Sequence, residues 1–393
     1  MDTTARGAHG RSGHYVRQRA GHRAFVPTPL PPEPPLRLDG ELRVLLSRAD
    51  RALGRLDGSV TTLPNPDLFV FMYVRKEAVL SSQIEGTQSS LQDLLAAEAS
   101  LFDSVAVPRD VDEVVNYVHA MNYGLKRLPE LPVSVRLMRE IHERLMRGVR
   151  GGRLLPGELR QSQNRIGPGG SGITDAVFVP PPPERVAEVL GALETFLHSK
   201  DGLPLLVKIG LAHAQFETIH PFLDGNGRLG RLLITFLLAE RGVLEKPVLY
   251  LSHYLKRYRQ EYYERLQAIR DVGDWEGWLT FFLHGVALVS NEATETARRV
   301  LLLREQNRTD ITAGLGRAAA NGHRVLESLF DRPIISVGMA QKLTGTGFAA
   351  ANQLVARMTE MGILREITGN ARNRRFSYEP YVRLFTDEPE DRP

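Results

Sequence analysis

The chain has 393 residues, 42% of them hydrophobic and 24% charged, with a formal net charge of +4. That length exceeds one typical core and the composition is globular, so two or three domains are expected and a disordered body is excluded. The absence of cysteine excludes disulfides, thiolate zinc sites and a cysteine nucleophile. The small net charge does not single out a nucleic-acid binder. No apolar run approaches the roughly 18 residues of a membrane span, and the N-terminus has no signal-peptide core, so a cytoplasmic protein without membrane association is expected.

The first 24 residues hold five arginines and one acid and read as a flexible basic tail. The proline-dense FVPTPLPPEPPLRLDG that follows excludes a helix, and residues 1–40 are expected as an extended strap. From Leu42 to about Leu128 the pattern is helical, giving an N-terminal helical region over 41–128. Within it DLFVFMYVRKEAVLSSQIEG predicts a largely buried helix stopped by Gly86. Ser89 or Ser90 is placed to cap the next helix, LQDLLAAEASLF. Ser81 and Glu85 lie four apart and share a face of the buried helix. Alone, that pair reads as an ordinary capped helix end.

SVRLMREIHERLMRGV predicts another amphipathic helix. Then LRQSQNRIG, the glycine-rich PGGSG and DAVFVPPPP read as a β-hairpin with a proline exit. Helices resume from ERVAEVLGALETFLHS to WEGWLTFFLHGVALVSNEATETARRVLLLREQ. The expected divisions are a core over 129–300, a linker over 301–316, a small domain over 317–385 and a disordered tail over 386–393. In the small domain, short helices precede two strands around the basic turn GNARNRR, the pattern of a winged helix-turn-helix. Arg372, Arg374 and Arg375 in that turn are candidates for nucleic-acid phosphates. The fold class expected is mainly α, a helical bundle with a β-hairpin flap plus a small α+β winged domain.

Chemistry concentrates in IHPFLDGNGRLGRLLITFLLAERG. A helix ends near His220, a glycine turn follows, and a strongly apolar helix begins. Gly225 and Gly227 let the backbone approach a ligand, and their N–H groups lie at a helix N-terminus, where free donors and the dipole favour an anion. Asn226 adds an amide donor, and Arg228 and Arg231, three apart, can face one bound group. With Leu229 and Gly230 in the same stretch, this describes a polyphosphate cradle. Asp224 beside phosphates fits a Mg²⁺ ligand. His220 at the cradle's edge suits a general base. Glu217 and His220 have the E-x-x-H spacing of a di-metal site, but the chain holds no second copy.

HPFLDGNGRLGR resembles the Fic family signature, His-x-Phe-x-Asp/Glu-Gly-Asn-Gly-Arg-x-x-Arg, at every defined position. The resemblance extends over roughly residues 20–380, through the hairpin, the YLKRYRQEYYERL helix and the winged tail. It implies transfer of AMP from ATP to a Ser, Thr or Tyr hydroxyl of a protein substrate, self-modification included. His220 would be the base, Asp224 the Mg²⁺ ligand, the 225–228 stretch the α- and β-phosphate site, and Arg231 the γ-phosphate ligand. Phe222 would fix the loop. Ala176, Val177, Phe178 and Val179 would form a target-docking flap, and Tyr262 with Asp271 would line the adenine pocket. Tyr258 departs from the family, which often has a smaller polar residue there. Ser81 to Gly86 satisfies the family's inhibitory motif, Ser/Thr-x-x-x-Glu-Gly/Asn, so Glu85 would pair with Arg231, and the same glutamate can serve AMP removal. A homodimer and nucleic-acid contact through the winged domain stay open. So do transfer of UMP, phosphate or phosphocholine, and a nucleotide-sensing transcriptional regulator.

Overall fold

The computed structural model describes residues 9–61, 63, 66–99, 110–152, 154–167 and 172–386. In chain order its elements are α1 (His9–Ser12), β1 (Gly13–Arg17), β2 (Arg23–Pro27), α2 (Gly40–Thr61), α3 (Pro66–Ile84), α4 (Leu91–Glu98) and α5 (Val111–Arg127). Then come α6 (Val135–Leu145), α7 (Pro183–His198), α8 (Leu205–Ile219), α9 (Asn226–Glu240), α10 (Ser252–Arg257), α11 (Arg259–Val272) and α12 (Trp275–Leu315). The C-terminal elements are α13 (Ala319–Asp331), β3 (Ile334–Ser336), α14 (Val337–Thr344), α15 (Phe348–Glu360), β4 (Arg365–Glu366), β5 (Arg375–Ser377) and α16 (Glu379–Thr386). The molecule is mainly helical, with small antiparallel sheets.

Two helices set the frame. From Leu206 to Ile219, α8 is buried on every side, as is α9 from Arg228 to Leu238. Helices apolar all round belong inside a core. α12 crosses α8 closely at Gly210, where a Cβ would press on Leu279 and Phe282 and where the Trp278 indole donates to the Gly210 carbonyl at 2.8 Å. The core runs without a break from Val26 to Phe385. Among the described residues no helix is long and apolar enough to cross a membrane.

Three segments differ from their sequence reading. Residues 9–27, expected as basic tail and strap, form α1 and the antiparallel β1–β2 pair, with Tyr15 opposite Phe25. Arginine content suggested a solvated tail, yet Arg11 is anchored to Glu276 by two hydrogen bonds of 2.7 Å. Among the described residues of this segment, the turn 18–22 and residues 28–39 lack a regular element. The expected hairpin over 160–180 is reduced to one antiparallel bridge, Ile166 with Phe178. Its central PGGSG turn falls largely outside the described residues. Residues 301–316 are no separate connector: α12 continues to Leu315 with Val300, Asn307 and Ile311 buried.

The C-terminal segment has the order helix, strand, helix, helix, strand, strand, with an antiparallel sheet ordered β3-β5-β4. Ile335 and Glu366 both pair with Phe376 across it. α16 returns onto α3, with the Phe385 ring 5.5 Å from Tyr73 and 6.3 Å from Phe69. The tails 1–8 and 387–393 lie outside the described residues.

Candidate active site

α8 ends where Pro221 cannot continue a helix. His220 takes the left-handed conformation, φ 48° and ψ 62°, with its amide still donating to the Phe216 carbonyl at 2.9 Å. Gly225, also left-handed at φ 77°, turns the chain into α9. Between them the loop is braced from several directions. Asn226 accepts from the Phe222 amide and donates to the Phe222 carbonyl, both at 2.8 Å. Its amide group therefore locks the loop, where the sequence suggested a donor to a ligand. Phe222 is buried and stacks on the His142 ring at 3.8 Å.

His142 is one of several site residues the sequence did not reveal. Its Nδ1 accepts from the Gly157 amide at 2.8 Å, so its Nε2–H donates to the Asp224 carbonyl at 2.9 Å. Burial pushes this imidazole down to about 4, so it stays neutral and keeps that tautomer. Arg160 donates to the His220 carbonyl at 2.9 Å, and Asn164 donates to the Phe222 carbonyl at 3.0 Å. The polar run RQSQNR was their signal: a run of hydrogen-bonding side chains beside a proline exit suits a brace as well as a strand.

His220 is half-buried, and burial with the positive charges of Arg270 and Arg160 pushes its imidazole down to about 4, against the opposing pull of Glu85. The ring is neutral at pH 7 and able to accept a proton. Asp224 keeps a half-exposed carboxylate, one oxygen of which accepts from the Gly225 amide at 2.6 Å. Among the described residues no cluster of three or more His, Asp or Glu stands ready to hold a metal. A single carboxylate nonetheless fits Mg²⁺, which takes one or two carboxylates and fills the rest of its shell with phosphate oxygens and water.

The arginines of α9 have different surroundings. Arg228 is buried and pairs with Glu113 of α5 at 3.0 Å. Arg231 is buried too. Its Nε donates to the Ser81 hydroxyl at 2.8 Å, and its Nη2 donates to the Ser81 carbonyl at 2.9 Å and to Glu85 Oε1 at 2.7 Å. Burial alone would raise the Glu85 carboxyl, but Arg231, with Arg228 and His220 beyond it, holds it below the usual carboxylate range. The Glu85 carboxylate rests on Gly227, so closely that a Cβ there would collide with it. An anion of the chain's own thus occupies the N-terminus of α9, the place where backbone donors and dipole favour one. The tight turn after α3, with Gly86 at φ 99°, delivers it.

Other expected site residues lie elsewhere. Tyr262 is 1% exposed and donates no free edge to a cleft: its hydroxyl meets His213 Nε2 at 2.9 Å and it belongs to the core. Asp271 is exposed and accepts from Gln267 at 2.8 Å. Of the segment 176–179, Val177 is 61% exposed, whereas Phe178 and Val179 are buried and Val179 accepts from the Phe25 amide at 2.9 Å. Glu217 is buried with its carboxyl against Gly230, and burial pushes it up to about 7 despite Arg231 nearby.

The site thus brings together a neutral imidazole, a left-handed glycine turn and a remote carboxylate seated at the N-terminus of α9. Residues 44–126 match the Fic/DOC family N-terminal profile and residues 132–238 the Fic/DOC family profile, so the chain carries these two domains over those residues. It is similar to a probable protein adenylyltransferase of Aquifex aeolicus, 29% identical over 178 residues, which are 45% of this chain and 51% of the relative. It is also similar to the protein adenylyltransferase Fic of Aedes aegypti, 28% identical over 200 residues, 50% of this chain and 35% of the relative. The chain thus spans about half the length of the first and a third of the second. Among solved structures, a Fic family protein from Desulfovibrio desulfuricans superposes with a TM-score of 0.56 at 22% identity, covering 85% of this chain and 95% of its own. A Fic domain containing signaling protein from Bacteroides thetaiotaomicron gives 0.53 at 16%, covering 64% and 97%. These two structures share the fold.

Proposed function

We propose that the protein is an auto-inhibited protein adenylyltransferase that moves AMP from ATP to a Ser, Thr or Tyr hydroxyl of a target protein, in the cytoplasm. His220 takes the hydroxyl proton, the oxygen attacks the α-phosphorus, the bond to the β-phosphate breaks, and pyrophosphate leaves. The N-terminal amides of α9 hold the phosphate oxygens. Asp224 would hold Mg²⁺, which neutralises phosphate charge when bound. The exposed backbone around Val177 offers the target segment a strand-like edge.

The observation that carries this reading is the Glu85 carboxylate on Arg231 above Gly227. A carboxylate there takes the arginine from a γ-phosphate and repels that phosphate, so ATP is kept from its productive pose. The names of the Aquifex and Aedes relatives support the group transferred. The same carboxylate, beside the cradle, is also placed to orient a water for AMP removal.

Glu85→Gly is expected to raise transfer from α-labelled ATP to lysate proteins, or to the protein itself, at least tenfold, the effect of losing about 1.4 kcal/mol or more of inhibitory contact. Label arriving only from the γ-position would instead make it a kinase, and no label from either position would leave a nucleotide sensor. The segment 317–386 has a winged helix-turn-helix order, and its exposed Arg372 supports contact with nucleic-acid phosphates. Absence of salt-dependent DNA binding by the full chain would remove that second role.

A further inference from the structure

Arg270, near the end of α11, is a buried guanidinium whose surroundings the reaction just described does not use. It is 5% exposed. Its Nε donates to the Thr218 hydroxyl and its Nη2 to the Glu217 carbonyl, both at 3.3 Å, and Nη1 donates to Gln267 at 3.3 Å. Its carbon centre lies 3.9 Å over the Phe178 ring. Among the described residues it has no carboxylate within ion-pair distance, which is unusual for a buried charge, since such charges are normally paired. Burial lowers the guanidinium to about 10, which still leaves it charged at neutral pH.

We propose that Arg270 is a positioning residue that ties the end of α8 to the 176–179 segment and presents a fixed positive charge to the His220 imidazole. It grips Glu217 and Thr218, the third and second residues before His220, and covers the ring at the centre of the docking segment. The base and the segment that would present its substrate are thereby fixed to one group. Phe25 of β2 backs the same ring at 5.8 Å, so the N-terminal hairpin closes the outer side. Among the described residues no carboxylate pairs with Arg270 at ion-pair distance, and Glu217 and Asp271 act on it only from further off, so its charge is only partly offset where it bears on His220. Arg160 adds to it from the loop before the flap, Glu85 opposes it from the end of α3, and the Glu217 carbonyl opposes it from α8 itself. The net result is an imidazole held neutral, hence ready to accept a proton.

This rests on His220 being the base, and its test has a readout that does not need activity. In protein with isotope-labelled histidine, the His220 ring resonance is identified by its loss in His220→Ala and followed from pH 8 to 3. Arg270→Gln is expected to move the His220 midpoint up by ~1 pH unit, the size of effect one nearby charge has. Arg270→Lys, which keeps the charge, is expected to move it by less than half as much, and Arg270→Met, which removes the charge but keeps an apolar stem, replaces Arg270→Gln if that variant fails to melt cooperatively. Hydrogen exchange at the Phe178 amide is expected to rise about tenfold in Arg270→Gln, from loss of a buried cation–ring contact. A His220 midpoint unmoved by Arg270→Gln, or moved equally by Arg270→Lys, overturns the electrostatic role. Unchanged exchange at Phe178 overturns the tie to the flap. In a Glu85→Gly background, Arg270→Gln should shift the acid limb of AMP transfer upward by the same amount. If Glu85→Gly transfers no AMP at any pH, the proposed function fails while the titration still decides the role of Arg270.

Discussion

At the scale of single residues, the Glu85–Arg231 pair fixes how inhibition should respond to acid. The folded-state carboxyl lies below its ordinary value of 4.5. A lowered acid contributes its interaction fully above the unfolded value and loses it only as pH falls through the lower folded value. Mild acid therefore leaves the pair intact. Transfer by the unmodified protein should stay far below that of Glu85→Gly at every pH from 8 to 5, measured with α-labelled ATP. A rise of the unmodified protein toward the variant near pH 6 would contradict the pairing. Much of this site was legible in the sequence because its key contacts are set by local spacing: His220 to Arg231 lie within one turn and one helix, and Ser81 and Glu85 one helical turn apart. His142, Arg160 and Glu113 were not legible. They reach the loop or α9 from 60 to 115 positions away in the chain, and the one local signal, the polar run that begins at Arg160, reads equally as a strand. Asn226 was read as a ligand donor because an exposed amide and a loop-locking amide look alike until the Phe222 backbone is seen between its two ends.

At the scale of elements, α3 is the part that would carry the proposed inhibition, and a second acid, on α3 itself, sets how its stability varies with pH. Glu77, Ser81 and Glu85 recur every four residues along one face. Glu77 is fully buried, accepting from the Ser252 hydroxyl at 2.5 Å and from Tyr117 at 3.1 Å, and burial pushes it up to about 7 although these bonds pull the other way. Between the unfolded value of 4.5 and about 7 the folded protein holds a proton the unfolded chain has released. Stability from this group is therefore full below the unfolded value and lost as pH rises through the folded one. Glu77→Gln, which cannot ionise, should flatten that slope. Urea unfolding at pH 5 and pH 8 should show the unmodified protein losing up to about 3 kcal/mol more than the variant over this interval. Equal slopes would mean Glu77 is ionised throughout. The helices themselves were readable from apolar periodicity and capping: Ser90 caps α4 with Asp93 completing a capping box. The elements misread were those whose partners lie far away in sequence. β2 depends on Val179 and α1 on Glu276, and the long α12 continues to Leu315 because α13 and α16 pack on it.

At the scale of the whole molecule, the C-terminal segment and α3 share a boundary. Phe385 of α16 packs edge-on to Tyr73, and Phe330 of α13 joins the same ring cluster through Tyr381. A separate cavity of about 900 Å³ opens between Phe71 and Arg75 of α3, Val111 and His119 of α5, and Arg332 and Ile334 near β3. The N-terminal half of α3 is thus held by the Phe385 cluster on one face and borders the cavity on another. Its C-terminal half delivers Glu85 to Arg231, and a helix transmits displacement along its length because its hydrogen bonds make it stiff. Phe385→Ala should cost about 3–5 kcal/mol, since it removes a buried ring packed against Phe69, Tyr73 and Tyr381. If α3 is seated as a unit, the same change should also raise basal AMP transfer in the unmodified background, to a level below that of Glu85→Gly because the Arg231 bonds remain. Thermal melting and α-label transfer on the same preparation separate the two effects. A lower melting temperature with transfer unchanged would mean that the turn after Ile84 holds Glu85 on its own, and that the C-terminal segment stabilises α3 without bearing on the cradle.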